Sequence, residues 1–307
     1  MADMRIALIG QQAFGKAVLE ALLERGEDVI AVYCAPDKEG ARPDPLKEAA
    51  LEHKLPLLQP ASFKEPGVWQ AFADMKPDLG VMAFVTLFVP EDFLYIPAKG
   101  TIQYHPSLLP RHRGPSSINW PIIQGAEKTG LSIFWPDNGL DEGPILLRKE
   151  VEIAENDTLG TVYFDKLFQL GVDAMLESVD LVRAGTAPKI DQDHSQHTYE
   201  SWCRKKDVEI DWTKPVADVH NLIRGADPAP AAWTTIGGTT VQLFESQKTG
   251  ETGGAPGEIV SVGKDGLVIA CDGGQVRVGR ARPDGGKKVA ASDYAAESGL
   301  VIGSRCG

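Results

Sequence analysis

Apolar positions first appear as an unbroken run, RIALI (5–9), then GQQAFG, then AVLEALLERG, where they recur at helical spacing and stop at Gly26. This predicts strand, glycine-containing turn and helix. The alternation continues with VIAVYC (29–34) as a buried strand, a polar loop APDKEGARPD, and PLKEAALEH as a helix. A short LPLL strand, a helix around Val68 to Met75 and a strand LGVMAF (79–84) follow. Near-continuous apolar strands separated by helices predict a parallel sheet covered on both faces, a doubly wound α/β layer.

GTIQYH (100–105) predicts a strand that runs into the loop PSLLPRHRGPSS and then the apolar-periodic INWPIIQG. LSIFW (131–135) and ILLRKEVEI (145–153) flank an acidic turn, PDNGLDEG, and a long helix is expected from about Leu159 to Ala184. After Gly185 the segment PKIDQDHSQHTYE breaks the periodicity, and DVHNLIRG is helical in pattern. From Ala231 onward short strands dominate (AWTTIGG, TTVQLFES, GEIVSVG, GLVIAC, QVRVGRA), separated by glycine-rich turns, which predicts a small antiparallel barrel. The expected organisation is an α/β domain over 1–188, a linker over 189–205 and a barrel over 206–307. No internal repeat is present, and the terminal GSRCG is expected to be loose.

Composition narrows the class. The chain has 307 residues, 43% hydrophobic and 24% charged, enough for two domains with their own cores. No apolar run of about 18 residues occurs, and MADMRIALIG lacks a signal-peptide pattern, so a cytoplasmic protein with no membrane partner is expected. The four cysteines (Cys34, Cys203, Cys271, Cys306) stand apart without CxxC spacing, so neither a disulfide framework nor a structural zinc, nor any other metal, is expected. A net charge of -12 with a pI near 5.0 disfavours nucleic acid as a partner.

Ligands in a doubly wound sheet gather beyond the carboxyl ends of the strands, and His105 lies at such an end. Side chains alternate along a strand, so Gln103 and His105 share a face that Tyr104 does not. Asp141 follows the next strand, inside NGLDEG, and can reach the imidazole if the two strands are neighbours. A carboxylate beside a histidine orients the ring and tunes it for proton transfer. On spacing alone, a structural strand-end histidine and turn-forming Asp137, Asp141 and Glu142 compete evenly with this reading. For Arg111, His112 and Arg113 a solvated surface cluster outweighs an anion site. GQQAFG lacks the G-x-G start of a dinucleotide fingerprint.

Two longer stretches, YHPSLLPRHRGPSSINW and FWPDNGLDEGPILL, resemble the folate-dependent formyltransferase family, whose members carry an HPSLLP-type loop and a following L-D-x-G. Within it the resemblance is greatest to the hydrolase domains of 10-formyltetrahydrofolate dehydrogenases, through IGQQAFG, APDKEGARPDPL, PSLLPRHRG, TYE with Lys205 and Lys206, and HNLIRGAD. It spans residues 5 to about 233. The resemblance implies a Rossmann-like domain holding the folate and an OB-like C-terminal barrel. It implies a pterin slot along VMAFVTLFVP (81–90), with Met82, Ala83, Phe84, Val85 and Leu87 as binding residues and Asp137 beside them.

His105 matches the family's catalytic histidine and Asp141 its catalytic aspartate. Gln103 stands where most transferases of the family have asparagine. The implied reaction is attack on the formyl carbon of 10-formyltetrahydrofolate, with His105 and Gln103 donating to the formyl oxygen, Asp141 assisting proton transfer and no metal. No carrier or aldehyde dehydrogenase segment follows the barrel, so the expected acceptor is water or a small or acyl-carrier-borne group supplied in trans. Initiator methionyl-tRNA is the main alternative, sugar-nucleotide amines a weaker one, and a folate-binding sensor without turnover the non-enzymatic one.

Overall fold

The computed structural model describes residues 4–307. Along the first part run β1 (Arg5–Gly10), α1 (Gln12–Glu24), β2 (Asp28–Tyr33), α2 (Pro45–Glu52), β3 (Leu57–Leu58), α3 (Pro66–Asp74), β4 (Leu79–Ala83) and α4 (Glu91–Leu94). Then come β5 (Thr101–His105), α5 (Asn119–Ile123), β6 (Lys128–Phe134), β7 (Ile145–Glu152), α6 (Leu159–Thr161), a π-helical turn Val162–Leu167 and α7 (Phe168–Ala184). The seven strands form one sheet in the order β3-β2-β1-β4-β5-β6-β7. The pairs β1–β2, β1–β4, β2–β3 and β4–β5 are parallel, and β6 runs antiparallel to β5. The fold is therefore the expected mostly parallel, doubly wound sheet.

The two sheet faces follow from side-chain alternation. Ala7, Ile9, Ala31, Tyr33 and Met82 share a core with Phe63, with Phe72 of α3 and with Phe93 and Leu94 of α4. Phe72 and Phe93 stack at 4.3 Å, and Tyr33 meets Phe93 edge-on at 5.4 Å. Each such pair contributes about 0.5–1.5 kcal/mol beyond the area buried. Tyr104 lies on the other face, where its ring is 4.2 Å from Phe14 of α1. Gln103 and His105, its neighbours along β5, consequently project toward the α3 and α4 side.

By proximity of Cα atoms the chain divides into two units. The first comprises residues up to Arg113, 130–150 and 167–199, and the second 114–129, 151–166 and 200–307. The expected linker 189–205 is split between them, with residues to Tyr199 in the first unit. The expected long helix is a continuous path from Leu159 to Ala184 that carries the π turn near its start.

The second unit adds α8 (Val216–Gly225), β8 (Trp233–Ile236), β9 (Thr239–Lys248), β10 (Ile259–Gly263), β11 (Gly266–Cys271), β12 (Gly274–Pro283), β13 (Val289–Ala290) and α9 (Ala291–Glu297). Its strands run β10-β11-β12-β9-β8, all antiparallel, with β13 on β12. Val219 and Ile223 of α8 pack with Val241, Leu243, Val276 and Val278 in the core. The terminal GSRCG is not loose. Ile236 bridges Cys306 and Glu258 bridges Arg305, so this segment links the β8 edge to the start of β10, with Cys306 buried between them. Backbone pairing overrides the polar composition that made the segment look like a tail. Among the described residues no helix is long and apolar enough to cross a membrane.

Candidate active site

His105 ends β5 and is buried. Its Nε2–H donates to the carbonyl of His112 at 2.9 Å. A carbonyl only accepts, so Nε2 carries a proton, and Nδ1 faces the carboxylate of Asp141, at 3.6 Å from Oδ2. Both side chains are only 7% exposed. A proton delivered to Nδ1 would lie between ring and carboxylate, while the His112 carbonyl holds the opposite nitrogen. The arrangement can therefore take up and return one proton at a fixed place.

The loop after β5 is folded by its own polar groups. Ser107 Oγ donates to the carbonyl of Arg111, Ser132 Oγ of β6 donates to the carbonyl of Ser107, and the Leu109 amide donates to Ser132 Oγ. The amide of His112 donates to Thr198 Oγ1 at 2.8 Å, and that of Arg113 to the Thr198 carbonyl at 3.1 Å. These bonds hold His112 at φ +56, which turns its carbonyl onto His105. Asp141 (φ +57), Phe84 (φ +62) and Gln12 (φ +60) also occupy the left-handed region without being glycine. Each costs on the order of 1 kcal/mol, and they fall in the loops that follow β5, β6 and β4 and at the start of α1 after β1.

Asp141 reaches His105 by a route the sequence does not reveal. Because β6 is antiparallel to β5, with Gln103 opposite Phe134 and His105 opposite Ser132, the chain leaves β6 level with the earlier part of β5. The β6–β7 turn must double back over the sheet face to bring Asp141 to the imidazole. Two contacts shape it. Asp137 Oδ1 accepts from the Gly139 amide at 2.9 Å, and Gly143 lies so close to Trp135 that a Cβ there would sit 1.8 Å from the Trp135 carbonyl oxygen.

Gln103 is half-buried on the same strand face, opposite Met82 in β4, and among the described residues its side-chain amide has no hydrogen-bond partner. Met82 and Ala83 are buried within β4, whereas Phe84 lies 43% exposed in the loop beyond. Val85 and Leu87 line a small, shallow cleft open to solvent, with Ile9, Gln11, Cys34 and Phe63 among its other walls. His105, Asp141 and Gln103 do not line it. Phe88 and Leu140 are exposed near Phe84 and Asp141 in sequence, so apolar surface is available to a flat ring. The amide of Gln12 and that of Leu46 both donate to the Asp44 carboxylate. That carboxylate therefore occupies the anion seat at the start of α1 where a dinucleotide-binding turn would hold phosphate.

One expectation is corrected. Arg113 is not solvated but 2% exposed, donating through Nη2 to Gln192 Oε1 at 2.8 Å and paired through Nη1 with Glu142 at 3.3 Å. Gln192 itself was invisible as a site residue, because its partners lie about fifty and eighty positions away and no local pattern marks it.

A buried histidine–carboxylate couple over the face of a doubly wound sheet is the kind of arrangement that an acid–base centre of an α/β enzyme requires. The family model for formyl transferases matches residues 4–179, and that for the formyl transferase C-terminal domain matches 203–299. The chain belongs to the formyl transferase family. It is 38% identical to mitochondrial 10-formyltetrahydrofolate dehydrogenase of Mus musculus, covering 97% of this chain and 34% of that one. It is 36% identical to methionyl-tRNA formyltransferase of Geobacter metallireducens, over the whole of both chains. The chain thus spans about a third of the length of the dehydrogenases it matches. Among solved structures, an N-formyltransferase from Helicobacter canadensis shares the fold at a TM-score of 0.71 and 19% identity, over 90% of this chain and 98% of that one. HypX from Aquifex aeolicus in complex with tetrahydrofolic acid does so at 0.70 and 18%, over 96% of this chain and 47% of that one.

Proposed function

We propose that the protein moves the formyl group of 10-formyltetrahydrofolate to water or to a small or carrier-borne nucleophile, releasing tetrahydrofolate. The observation that carries this reading is the His105–Asp141 couple, with Nδ1 facing the carboxylate and with the uncommitted amide of Gln103 on the same strand face. The nucleophile bonds to the formyl carbon and its proton passes to Nδ1 of His105, where Asp141 balances the charge. Negative charge gathers on the formyl oxygen. Because Nε2 is committed to the His112 carbonyl, the donor to that oxygen is Gln103 rather than the imidazole. Collapse breaks the bond from the formyl carbon to N10 of the folate, and the proton returns from Nδ1 to N10. With water the products are formate and tetrahydrofolate. Phe84, Val85 and Leu87, with Met82 and Ala83 behind them and Asp137 beside the turn, form the proposed pterin slot.

The choice of acceptor rests on charge. The net charge of -12 opposes a polyanion, and the loop after β2 carries Asp37, Glu39 and Asp44 against Lys38 and Arg42, with Asp37 already paired to Lys47. The full-length match to a methionyl-tRNA formyltransferase favours the second reading, transfer to initiator methionyl-tRNA. Tetrahydrofolate release from 10-formyltetrahydrofolate, followed spectrophotometrically with water alone, thiols, amines and methionyl-tRNA, separates the two. Turnover above the buffer blank without tRNA is expected. Turnover with methionyl-tRNA alone would establish the second reading, and none with any acceptor would leave a folate-binding protein without turnover.

A further inference from the structure

We infer that Gln192, which lies in the polar segment after α7, is a positioning residue that sets the His105–Asp141 gap. The inference rests on the proposed formyl transfer at that couple. Gln192 is 5% exposed, and its Nε2 donates to two carbonyls of the catalytic turn, Asp141 and Gly143, each at 2.8 Å. Its Oε1 accepts from Arg113 Nη2 at 2.8 Å. Both amide hydrogens and the amide oxygen are thus spent, and the amide cannot rotate end for end without facing its oxygen to two carbonyls.

The contacts close into a loop. His105 Nε2 is held by the carbonyl of His112, and the next residue, Arg113, holds Gln192. Gln192 in turn holds the backbone of Asp141, whose carboxylate faces His105 Nδ1. Arg113 adds a second grip through Glu142 and a third contact, from Nη2 to His194 Nδ1 at 3.2 Å. Asp141 sits at φ +57, a conformation that a non-glycine residue keeps only when its surroundings over-determine it. The clasp does this at two points flanking Glu142. The cost is visible at Arg113, whose Nε is buried with no partner. Side chains whose hydrogen bonds lock the backbone beside a reacting group are the supporting shell that such a site requires.

The test is steady-state kinetics of Gln192→Leu and Gln192→Glu with 10-formyltetrahydrofolate, alongside the stoichiometry of 5-formyltetrahydrofolate binding. Gln192→Leu removes the whole clasp. Gln192→Glu keeps the shape and the acceptor for Arg113 but loses the donors to the turn, and stands in if the leucine variant fails to fold. Displacing a reacting group by about 1 Å costs on the order of 10²-fold, so kcat is expected to fall about 10- to 100-fold with KM within about 3-fold. Binding stoichiometry is expected to stay at the wild-type value, which separates misplacement from a loss of folded protein. A kcat within about 3-fold of wild type in the folded variants overturns the clasp while leaving the formyl-transfer reading intact. A kcat loss matched by an equal loss of binding sites also overturns it. Wild-type protein that fails to turn over with any acceptor overturns both.

Discussion

Replacing Gly143 with alanine tests whether the geometry of the β6–β7 turn governs the chemistry. The added Cβ would lie 1.8 Å from the carbonyl oxygen of Trp135 and 2.9 Å from its carbon, and real Cβ atoms essentially never come within 3.0 Å of a heavy atom. The turn must therefore retreat from Trp135 by at least 1.2 Å. Gly143 is not in the left-handed region, so the alanine backbone itself is unstrained and displacement is the whole perturbation. The opposing atoms are backbone, and the Trp135 amide donates to the carbonyl of Pro144, next to Gly143, so the turn is held to Trp135 at Pro144 and cannot simply swing away as a whole. The movement passes instead to Asp141, two residues away. A displacement of this size is expected to lower kcat about 100-fold, at a stability cost of about 1–3 kcal/mol from overpacking. The loop after β4 is untouched, so KM for the folate should remain within about 3-fold. The measurements are tetrahydrofolate release under saturating donor, thermal unfolding and 5-formyltetrahydrofolate binding. A folded Gly143→Ala protein with wild-type kcat would refute the link between turn position and rate.

Three further outcomes are expected. Gln103→Leu should lower kcat about 10²-fold by removing the donor to the formyl oxygen, and Gln103→Asn should restore part of the rate; equal rates for Gln103→Leu and wild type would remove Gln103 from the reaction. In the second unit, burial holds His220 below its ordinary value, with Arg224 and Lys248 adding to the effect against the opposing pull of Glu155, while Nε2 donates to the Glu155 carbonyl and Nδ1 accepts from Ser246. The unfolded chain then binds the extra proton first, so stability should fall as pH drops below about 6.5, and thermal unfolding of His220→Gln between neutral and mildly acidic pH should show a shallower fall than wild type. Deleting residues 303–307 removes the 2.8 Å backbone bonds from Ile259 to Ser304, from Cys306 to Gly257 and from Gly307 to Thr235, together with buried Cys306. A loss of roughly 2–4 kcal/mol, read as a lower melting temperature, is expected, and an unchanged one would mean the barrel does not use this segment.

The parallel sheet was legible because strands such as RIALI and VIAVYC are apolar at nearly every position, as burial on two faces demands. His105 and Asp141 were legible as parts of long motifs, and the structure places them 3.6 Å apart. The reversal of β6 was not, since LSIFW is apolar whichever way it runs. Nor was the burial of Arg113, because RHRG reads as a solvated loop until a glutamine 79 residues away supplies its acceptor. The π turn within the helix from Leu159 to Ala184 leaves the average helical spacing intact, so periodicity passes over it. GSRCG was misread for a related reason, as its order comes from pairing with Ile236 and Glu258 rather than from any propensity of its own. For Arg113 and for GSRCG, what the sequence concealed is a contact between distant segments.

The central claim is that formyl transfer takes place at the His105–Asp141 couple. It is tested most directly by tetrahydrofolate release from 10-formyltetrahydrofolate by His105→Ala and Asp141→Asn, measured with the acceptor that wild type uses and paired with 5-formyltetrahydrofolate binding. Both variants are expected to bind the analogue as wild type does and to lose about 10³-fold or more in kcat. Either variant turning over at the wild-type rate while folded would contradict the account.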